Sequence, residues 1–217
     1  MRGARTSWRS FFSRALDLVY VPKCGLCGAL GTSAMCTVCE ATLLPLDDEW
    51  IPRGPGDPLD GVARAYRYTG RAEQAVHRLK YSRVTSLADP MAGLMKGFLA
   101  KVSLLDADAF VPVPIHWTRR CFRGFNQSDL LCLDLPASAV RKDLVRRVRA
   151  TRPQVGLSPE ERRRNLADAF EASAEAEGQT VVLLDDVLTS GYTAFECAKA
   201  LKAKGALKVF AVAFAGG

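Results

Sequence analysis

Apolar positions recur along this chain with two periods, and the alternation between them predicts an α/β fold. Residues 62–68 alternate apolar and polar side chains, as a half-buried strand does. A helix follows from Gly70 through Leu79, with a basic, aromatic end at Lys80 and Tyr81. Residues 86–103 set Leu87, Met91, Leu94, Met95 and Phe98 on one stripe, which predicts a second helix whose methionines fill core. Residues 109–113 read as a short buried strand running into Pro112, Val113 and Pro114, and residues 126–135 as another helix. The continuous apolar run over 181–184 marks a strand covered on both faces. A helix over 193–204, ended by Gly205, and a strand over 207–214 complete a β-α-β unit, which implies a parallel sheet with a right-handed crossover. No internal repeat and no low-complexity tract interrupts the series.

The same pattern divides the chain. Residues 1–21 form a first unit, an amphipathic helix on which Trp8, Phe11, Phe12, Ala15, Leu16 and Val19 oppose Arg5, Arg9 and Arg14, with Pro22 as its stop. Docking on its own protein is the expected use of that helix, and membrane-surface binding the alternative. Residues 22–44 hold a cysteine module. Residues 45–61 are dense in Pro45, Pro52, Gly54, Pro55, Gly56 and Pro58 and read as a linker. Residues 62–217 then form the main domain.

Composition narrows the class only a little. Of 217 residues, 48% are hydrophobic, enough for a packed core, which excludes wholesale disorder. The net charge of +7 asks for an anionic partner: nucleic acid, a phosphorylated small molecule or an anionic membrane surface. No stretch approaches the roughly 18 consecutive apolar residues of a membrane span, and no signal-peptide pattern opens the chain. A cytoplasmic protein is the expectation.

Four of the seven cysteines fall in two tight pairs, Cys24 with Cys27 and Cys36 with Cys39. Each Cys-x-x-Cys turn aims two thiolates at one point, so two turns supply a closed tetrahedron of sulfur, the ligand set of a structural Zn²⁺. The short gap between the pairs argues for a compact knuckle; redox dithiols are the weaker alternative. Cys121, Cys132 and Cys197 lie in or beside apolar helical patterns and read as small core residues.

The sharpest chemical feature follows the apolar run. Asp185 and Asp186 are succeeded by Val187, Leu188, Thr189, Ser190, Gly191, Tyr192 and Thr193, so the strand is expected to end in two carboxylates and a small hydroxylated loop to open a helix. Ligands of open α/β sheets bind at the carboxyl ends of strands. Backbone N–H groups over 189–193, with the hydroxyls of Thr189, Ser190 and Thr193, would cradle a phosphate. Two ionised carboxylates suit a vicinal ribose diol. The loop has neither Gly-Lys-Ser/Thr nor Gly-x-Gly-x-x-Gly, so it is not a Walker loop or a dinucleotide fingerprint.

At these residues the chain resembles the 5-phosphoribosyl-1-pyrophosphate (PRPP) motif of type I phosphoribosyltransferases. Over nearly its whole length it is similar to the ComF family of competence-associated proteins. The supporting stretches are the two cysteine pairs, Leu79-Lys80-Tyr81, Val111-Pro112-Val113-Pro114, Arg123-Gly124-Phe125-Asn126-Gln127, Thr151-Arg152-Pro153-Gln154 and Arg162-Arg163-Arg164-Asn165. Ser190 stands where relatives often have Thr, and the hydroxyl is kept. The resemblance implies a type I phosphoribosyltransferase fold with an N-terminal zinc-ribbon-like module. Asp185 and Asp186 would hold the ribose hydroxyls, and Thr189, Ser190, Gly191, Tyr192 and Thr193 the 5-phosphate. A pyrophosphate loop with Mg²⁺ would be Val113, Pro114, Ile115, His116 and Trp117. A mobile hood would come from 151–165, with Arg123, Thr151, Arg152 and Gln154 as anion contacts. The implied chemistry is Mg²⁺-dependent phosphoribosyl transfer to an unidentified acceptor, in a protein serving DNA uptake.

The basic residues leave two uses open. Arg141, Lys142, Arg146, Arg147, Arg149, Arg152, Arg162, Arg163 and Arg164 crowd into residues 141–164, opposed by Asp143, Glu160 and Glu161. With Arg119, Arg120 and Arg123 they suit single-stranded DNA, or simply pyrophosphate. No aromatic stacking platform for a single strand is evident in the sequence. The opposing reading of the whole chain is a non-catalytic DNA-binding or scaffold protein that keeps the fold and works with the competence machinery. His77 is expected to be a plain surface or core histidine, and His116 is a candidate for function beside the pyrophosphate loop.

Overall fold

The computed structural model describes residues 21–46, 50–151 and 158–217. The amphipathic helix read over 7–20, and Arg152 and Gln154 of the expected hood, lie outside those residues.

Among the described residues the cysteine knuckle comes first, and its second pair is carried by a single helical turn, α1 (Thr37–Ala41). β1 (Trp50–Pro52) comes next, inside the stretch read as a linker, and pairs antiparallel with β2 (Gly61–Arg67) through Trp50 opposite Ala63. α2 (Gly70–Tyr81), a 3₁₀ turn (Thr85–Leu87) and α3 (Ala88–Lys101) then lead to β3 (Ala109–Pro112). Two short helices follow, α4 (Trp117–Arg123) and α5 (Gln127–Leu130). β4 (Val145–Arg147) and β5 (Phe170–Ala172) make a separate antiparallel pair around α6 (Pro159–Leu166). β6 (Thr180–Leu188), α7 (Tyr192–Ala203) and β7 (Lys208–Gly216) complete the chain.

The main sheet has the order β1-β2-β7-β6-β3, parallel except for β1. The expected class, a parallel α/β sheet flanked by helices with a four-cysteine module in front, is the fold that forms. Strand alternation assigns the two faces. Ala63, Val182, Leu184, Val212 and Phe214 point to a core shared with α2, α3 and the knuckle. Val62, Val181, Leu183, Ala211 and Ala213 point to the other core, under α7 and the β4–β5 pair.

Two expected boundaries move. β6 runs to Leu188, not Leu184, because its ladder with β7 continues through Asp185 opposite Ala213 and Val187 opposite Ala215. The two carboxylates therefore sit within the strand and not after it. The helix expected over 126–135 stops at Leu130 and gives way to turns that still bury Leu131, Cys132 and Leu135. Pro136 is a local reason, since the residue before proline disfavours helical backbone.

The knuckle is seated on the helical layer. Leu26, Met35 and Leu43 join the core of α2 and α3, and Gly25 packs on the 3₁₀ turn so closely that a Cβ there would lie 2.9 Å from Leu87 and 3.0 Å from Val84. Leu87 is fully buried and has no room to yield. Gly25→Ala is expected to destabilise the chain by about 1–3 kcal/mol, the usual cost of overpacking, as read from urea unfolding midpoints.

Candidate functional site

The site lies where the chain changes sides. After β3 it turns into the loop leading to α4 and α5. After β6 it crosses to α7 on the opposite face. Adjacent parallel strands that send their connections to opposite faces leave a crevice at their carboxyl ends, the usual ligand position of such sheets. A cavity of about 450 Å³ opens there, between Val113, Pro114 and Ile115 of the first loop and Asp185, Asp186 and Val187 of β6.

Asp186 shares strand parity with Val182 and Leu184, so it faces α2 and is only 4% exposed. A carboxylate so placed needs a partner charge. Lys80 provides it from the last turn of α2, with Nζ 2.8 Å from Asp186 Oδ1. Gln127 Nε2 donates to the other oxygen at 3.4 Å. Desolvation works against the charge on Lys80, but the carboxylates of Asp186 and Asp185 outweigh it and hold its pKa above the ordinary lysine value. Asp185 is half-buried and accepts from Ser128 Oγ at 3.1 Å and from the Asp186 N–H at 2.8 Å. Burial, followed by the neighbouring Asp186 charge, pushes its pKa up to about 7. The pair is thus one firmly paired carboxylate beside one that changes charge near neutrality.

The string from Arg123 to Ser128 builds the opposite wall. Asn126 caps α5 through the Ser128 N–H and ties it to the loop by donating to the Val113 carbonyl at 3.1 Å. Those bonds aim Gln127 and Ser128 at the two carboxylates. Phe125 packs on the core. Arg123 lines the cavity with its guanidinium carbon 5.3 Å from the centroid of the Tyr81 ring, which also lines it.

The remaining expected residues divide. Thr193 lines the cavity, whereas Thr189 and Ser190 are exposed on the turn above it. Gly191 occupies the left-handed region at φ 72°, where a side chain would be strained, and forms the N-cap of α7. Tyr192 lies under Arg163 of α6, whose guanidinium carbon is 5.3 Å from the ring centroid. Of the expected pyrophosphate loop, Val113, Pro114 and Ile115 line the cavity but His116 and Trp117 do not. His116 is buried and caps α4 through the Thr118 N–H, a local role; Trp117 is exposed. Thr151 accepts a hydrogen bond from Arg147. Arg147 itself lines the cavity.

Three cavity residues had no role assigned from the sequence: Lys80 and Arg147, which were named only within longer stretches, and Ser128, which was missed. Helical spacing carried the signal for Lys80, a cation one position past the buried Leu79 at a helix end. Arg147 was hidden among eight other basic residues. Four of those are engaged elsewhere: Arg141 with Asp143 and Glu175, Lys142 with Asp129, Arg146 with Glu171, and Arg149 with the carbonyls of Asn165 and Ala167. Cys132 and Cys197 are buried as expected, with burial pushing Cys132 up to about 12, but Cys121 is exposed on α4 and is no core residue. α4 leaves Trp117, Cys121 and Phe122 exposed, so it has no apolar stripe to bury it. His77 is exposed, against the ring of Tyr81.

The four cysteine sulfurs of the knuckle all lie within 4.8 Å of one another, and Cys27 Sγ is 3.7 Å from Cys36 Sγ. A tetrahedral site with Zn–S bonds near 2.3 Å has S···S edges of about 3.8 Å, so the cluster fits a metal ion of that kind. The N–H groups of Leu26 and Cys36 both point at Cys24 Sγ, each at 3.4 Å. Against burial, the backbone N–H groups of Cys27, Cys36 and Leu26 draw the Cys24 thiol down to about 6, while burial and the surrounding sulfurs push Cys39 up to about 12.

This mostly parallel sheet, with a carboxylate pair on one of its inner strands and a four-cysteine knuckle able to hold a metal ion seated on its helical face, defines an α/β protein with an N-terminal cysteine module. No family model matches the chain. It is 35% identical over 198 residues to the DNA utilization protein YhgH of Salmonella typhi, covering 86% of each chain. It is 26% identical over 193 residues to the competence protein ComFC of Bacillus subtilis, covering 84% of this chain and 72% of that one. A glutamine PRPP amidotransferase structure from B. subtilis aligns over 64% of this chain and 30% of its own, with 19% identity and a TM-score of 0.41. The chain belongs to the ComF family. Among the described residues no helix is long and apolar enough to cross a membrane.

Removing one member of a buried ion pair strands the other. Asp186→Ala is expected to cost about 3 kcal/mol of stability in urea unfolding, and Lys80→Met in the same chain to recover most of it. Replacing Cys24 and Cys27 by Ser should abolish stoichiometric metal, measured by elemental analysis of the purified chain.

Proposed function

We propose that the cavity binds PRPP and that the protein is a Mg²⁺-dependent phosphoribosyltransferase acting on an unidentified acceptor, in the service of DNA use. The observation that carries this is the carboxylate pair on β6, set beside a turn of small hydroxylated residues at the crevice between β3 and β6. Asp185 and Asp186 accept the two ribose hydroxyls. The N–H groups and hydroxyls from Thr189 to Thr193 take the 5-phosphate at the start of α7. Lys80, Arg123 and Arg147 line the same cavity and offset the charge of the pyrophosphate. Mg²⁺ would find hard oxygen donors in the two carboxylates and, when bound, would neutralise charge on the leaving pyrophosphate. In the reaction the acceptor's electron pair forms a bond to the anomeric carbon as the bond to the pyrophosphate oxygen breaks and its electrons leave with pyrophosphate. The carboxylates beneath the ribose stabilise the positive charge that develops on the ring. Zinc is the metal proposed for the knuckle, on the fit of its sulfur edges.

A second reading has its own support. Tyr81, Trp117 and Phe122 are 58%, 67% and 77% exposed, and Tyr81 and Phe122 with Arg123 form one rim of the cavity. Exposed rings interleaved with arginine suit unpaired bases, so single-stranded DNA is proposed as a partner at that rim. The names of the relatives, a DNA utilization protein and a competence protein, support the same role.

Calorimetric titration of Mg²⁺ and PRPP into the metal-loaded chain tests the first reading. Micromolar binding is expected, lost in the chain with Asp185→Asn and Asp186→Asn, which keeps the volume of both side chains. Equal affinity in that variant would remove the assignment.

The pH dependence follows from Asp185. Its folded pKa is raised to about 7, so the proton is held at low pH and released as pH rises through neutrality. A ribose hydroxyl donates better to the ionised form. PRPP affinity is therefore expected to climb between pH 6 and about 8 more steeply in the native chain than in Asp185→Asn, which lacks that titration. The same raised pKa makes ionisation of Asp185 unfavourable to folding, so this contribution to stability, full below the unfolded carboxyl pKa, declines as pH rises through about 7.

A further inference from the structure

The knuckle and the cavity meet at the same helix end. Arg78, on the last turn of α2, sends Nη1 to the Gly25 carbonyl at 2.5 Å, and Gly25 lies between the metal ligands Cys24 and Cys27. Two residues on, Lys80 forms the ion pair with Asp186 in the cavity, and Tyr81 supports Arg123 at the rim. A separation of two helical residues is about 200° of rotation, so the two side chains leave the helix on opposite sides. Leu79 between them is fully buried, and the Ser82 and Val84 N–H groups both close on the Arg78 carbonyl. Val84 and Leu87, which follow directly, carry the other face of Gly25. The first cysteine turn therefore cannot shift without displacing residues 78–87, and with them the cation on Asp186.

We propose that Arg78 is a positioning residue that couples metal in the knuckle to ligand in the cavity: metal fixes the Gly25 turn, Arg78 transmits its position, and Lys80 is held where the carboxylate pair needs it. The binding arm of this inference rests on the cavity's taking PRPP. Coupling is reciprocal, so PRPP tightens metal by the same factor as metal tightens PRPP, about tenfold within the usual range of site-to-site effects.

Two measurements on the full chain test it. In the first, Arg78→Met and Arg78→Lys are prepared with one equivalent of metal, and titrated with Mg²⁺ and PRPP. Metal retention is then measured against a competing chelator with and without PRPP. Arg78→Met is expected to keep its metal, to bind PRPP about tenfold more weakly, and to lose the tightening of metal by PRPP, with Arg78→Lys recovering part of both. A purely structural role for Arg78 would not remove that coupling. Native affinity and native reciprocity in Arg78→Met would overturn the proposal.

The second measurement needs no PRPP. Amide hydrogen exchange is followed on chelation of the native chain, at residues 78–84 and at α5, which bears Gln127 and Ser128. Faster exchange at both is expected, and exchange confined to the knuckle would sink the coupling. If the native chain binds no PRPP while α5 still responds to metal, the coupling stands and the proposed ligand falls. If PRPP binds and α5 does not respond, the reverse holds.

Discussion

A carboxylate that is 4% exposed, on a strand whose neighbours of the same parity are Val182 and Leu184, is an expensive thing to fold around. Lys80 resolves that cost from one direction only, the end of α2. Much of the architecture can be understood as the means of bringing the two charges together. Helix α2 has to run its full 12 residues, and Leu79 has to lock its last turn in the core. The knuckle then closes over the same turn through Gly25 and Arg78. Asp185, released from this arrangement by strand alternation, is left with a hydroxyl and a backbone N–H as partners, and its proton becomes available near neutral pH.

Much of this was legible in the amino-acid sequence, and the exceptions have particular causes. The stripe of Leu87, Met91, Met95 and Phe98, the alternation after Gly61 and the two cysteine turns each carry a period or a spacing of their own. The apolar run marked the start of β6 but not its end. Asp185 and Asp186 interrupt the run before Val187 and Leu188, which stay in the ladder opposite the small residues Ala215 and Gly216 of β7. α4 left no pattern because its apolar side chains face outward. β4 and β5 are three residues each, too short to show a period. The carboxylate pair and its loop were readable; that Lys80 and Ser128 would complete the site was not, since a contact across 106 residues leaves no mark on local spacing.

The basic run illustrates how far charge alone misleads. In sequence it reads as one continuous patch for an anion. In the fold Arg141, Arg146 and Arg149 are held in ion pairs or on carbonyls around the β4–β5 pair, while Arg147 alone of the β4 arginines reaches the cavity. The rings at the crevice, and Arg123 beside them, come instead from α4 and the end of α2.

The position of β7 bears on the order in which the protein can be made. It is the latest strand in the chain, yet it sits between β2 and β6. A ribosome releasing some 5–20 residues per second delivers β2 well before the strand that joins it to β6, and β6 itself only shortly before. Through that interval their apolar edges have no partner from the main sheet on that side, and exposed edges are open to wrong pairing. The knuckle is different: its ligands span sixteen residues and can close as soon as they emerge. During synthesis, then, a cysteine module able to take metal would stand ready while the sheet waits for its middle strand, and the exposure of its unpaired edges lasts until β7, residues 208–216, arrives.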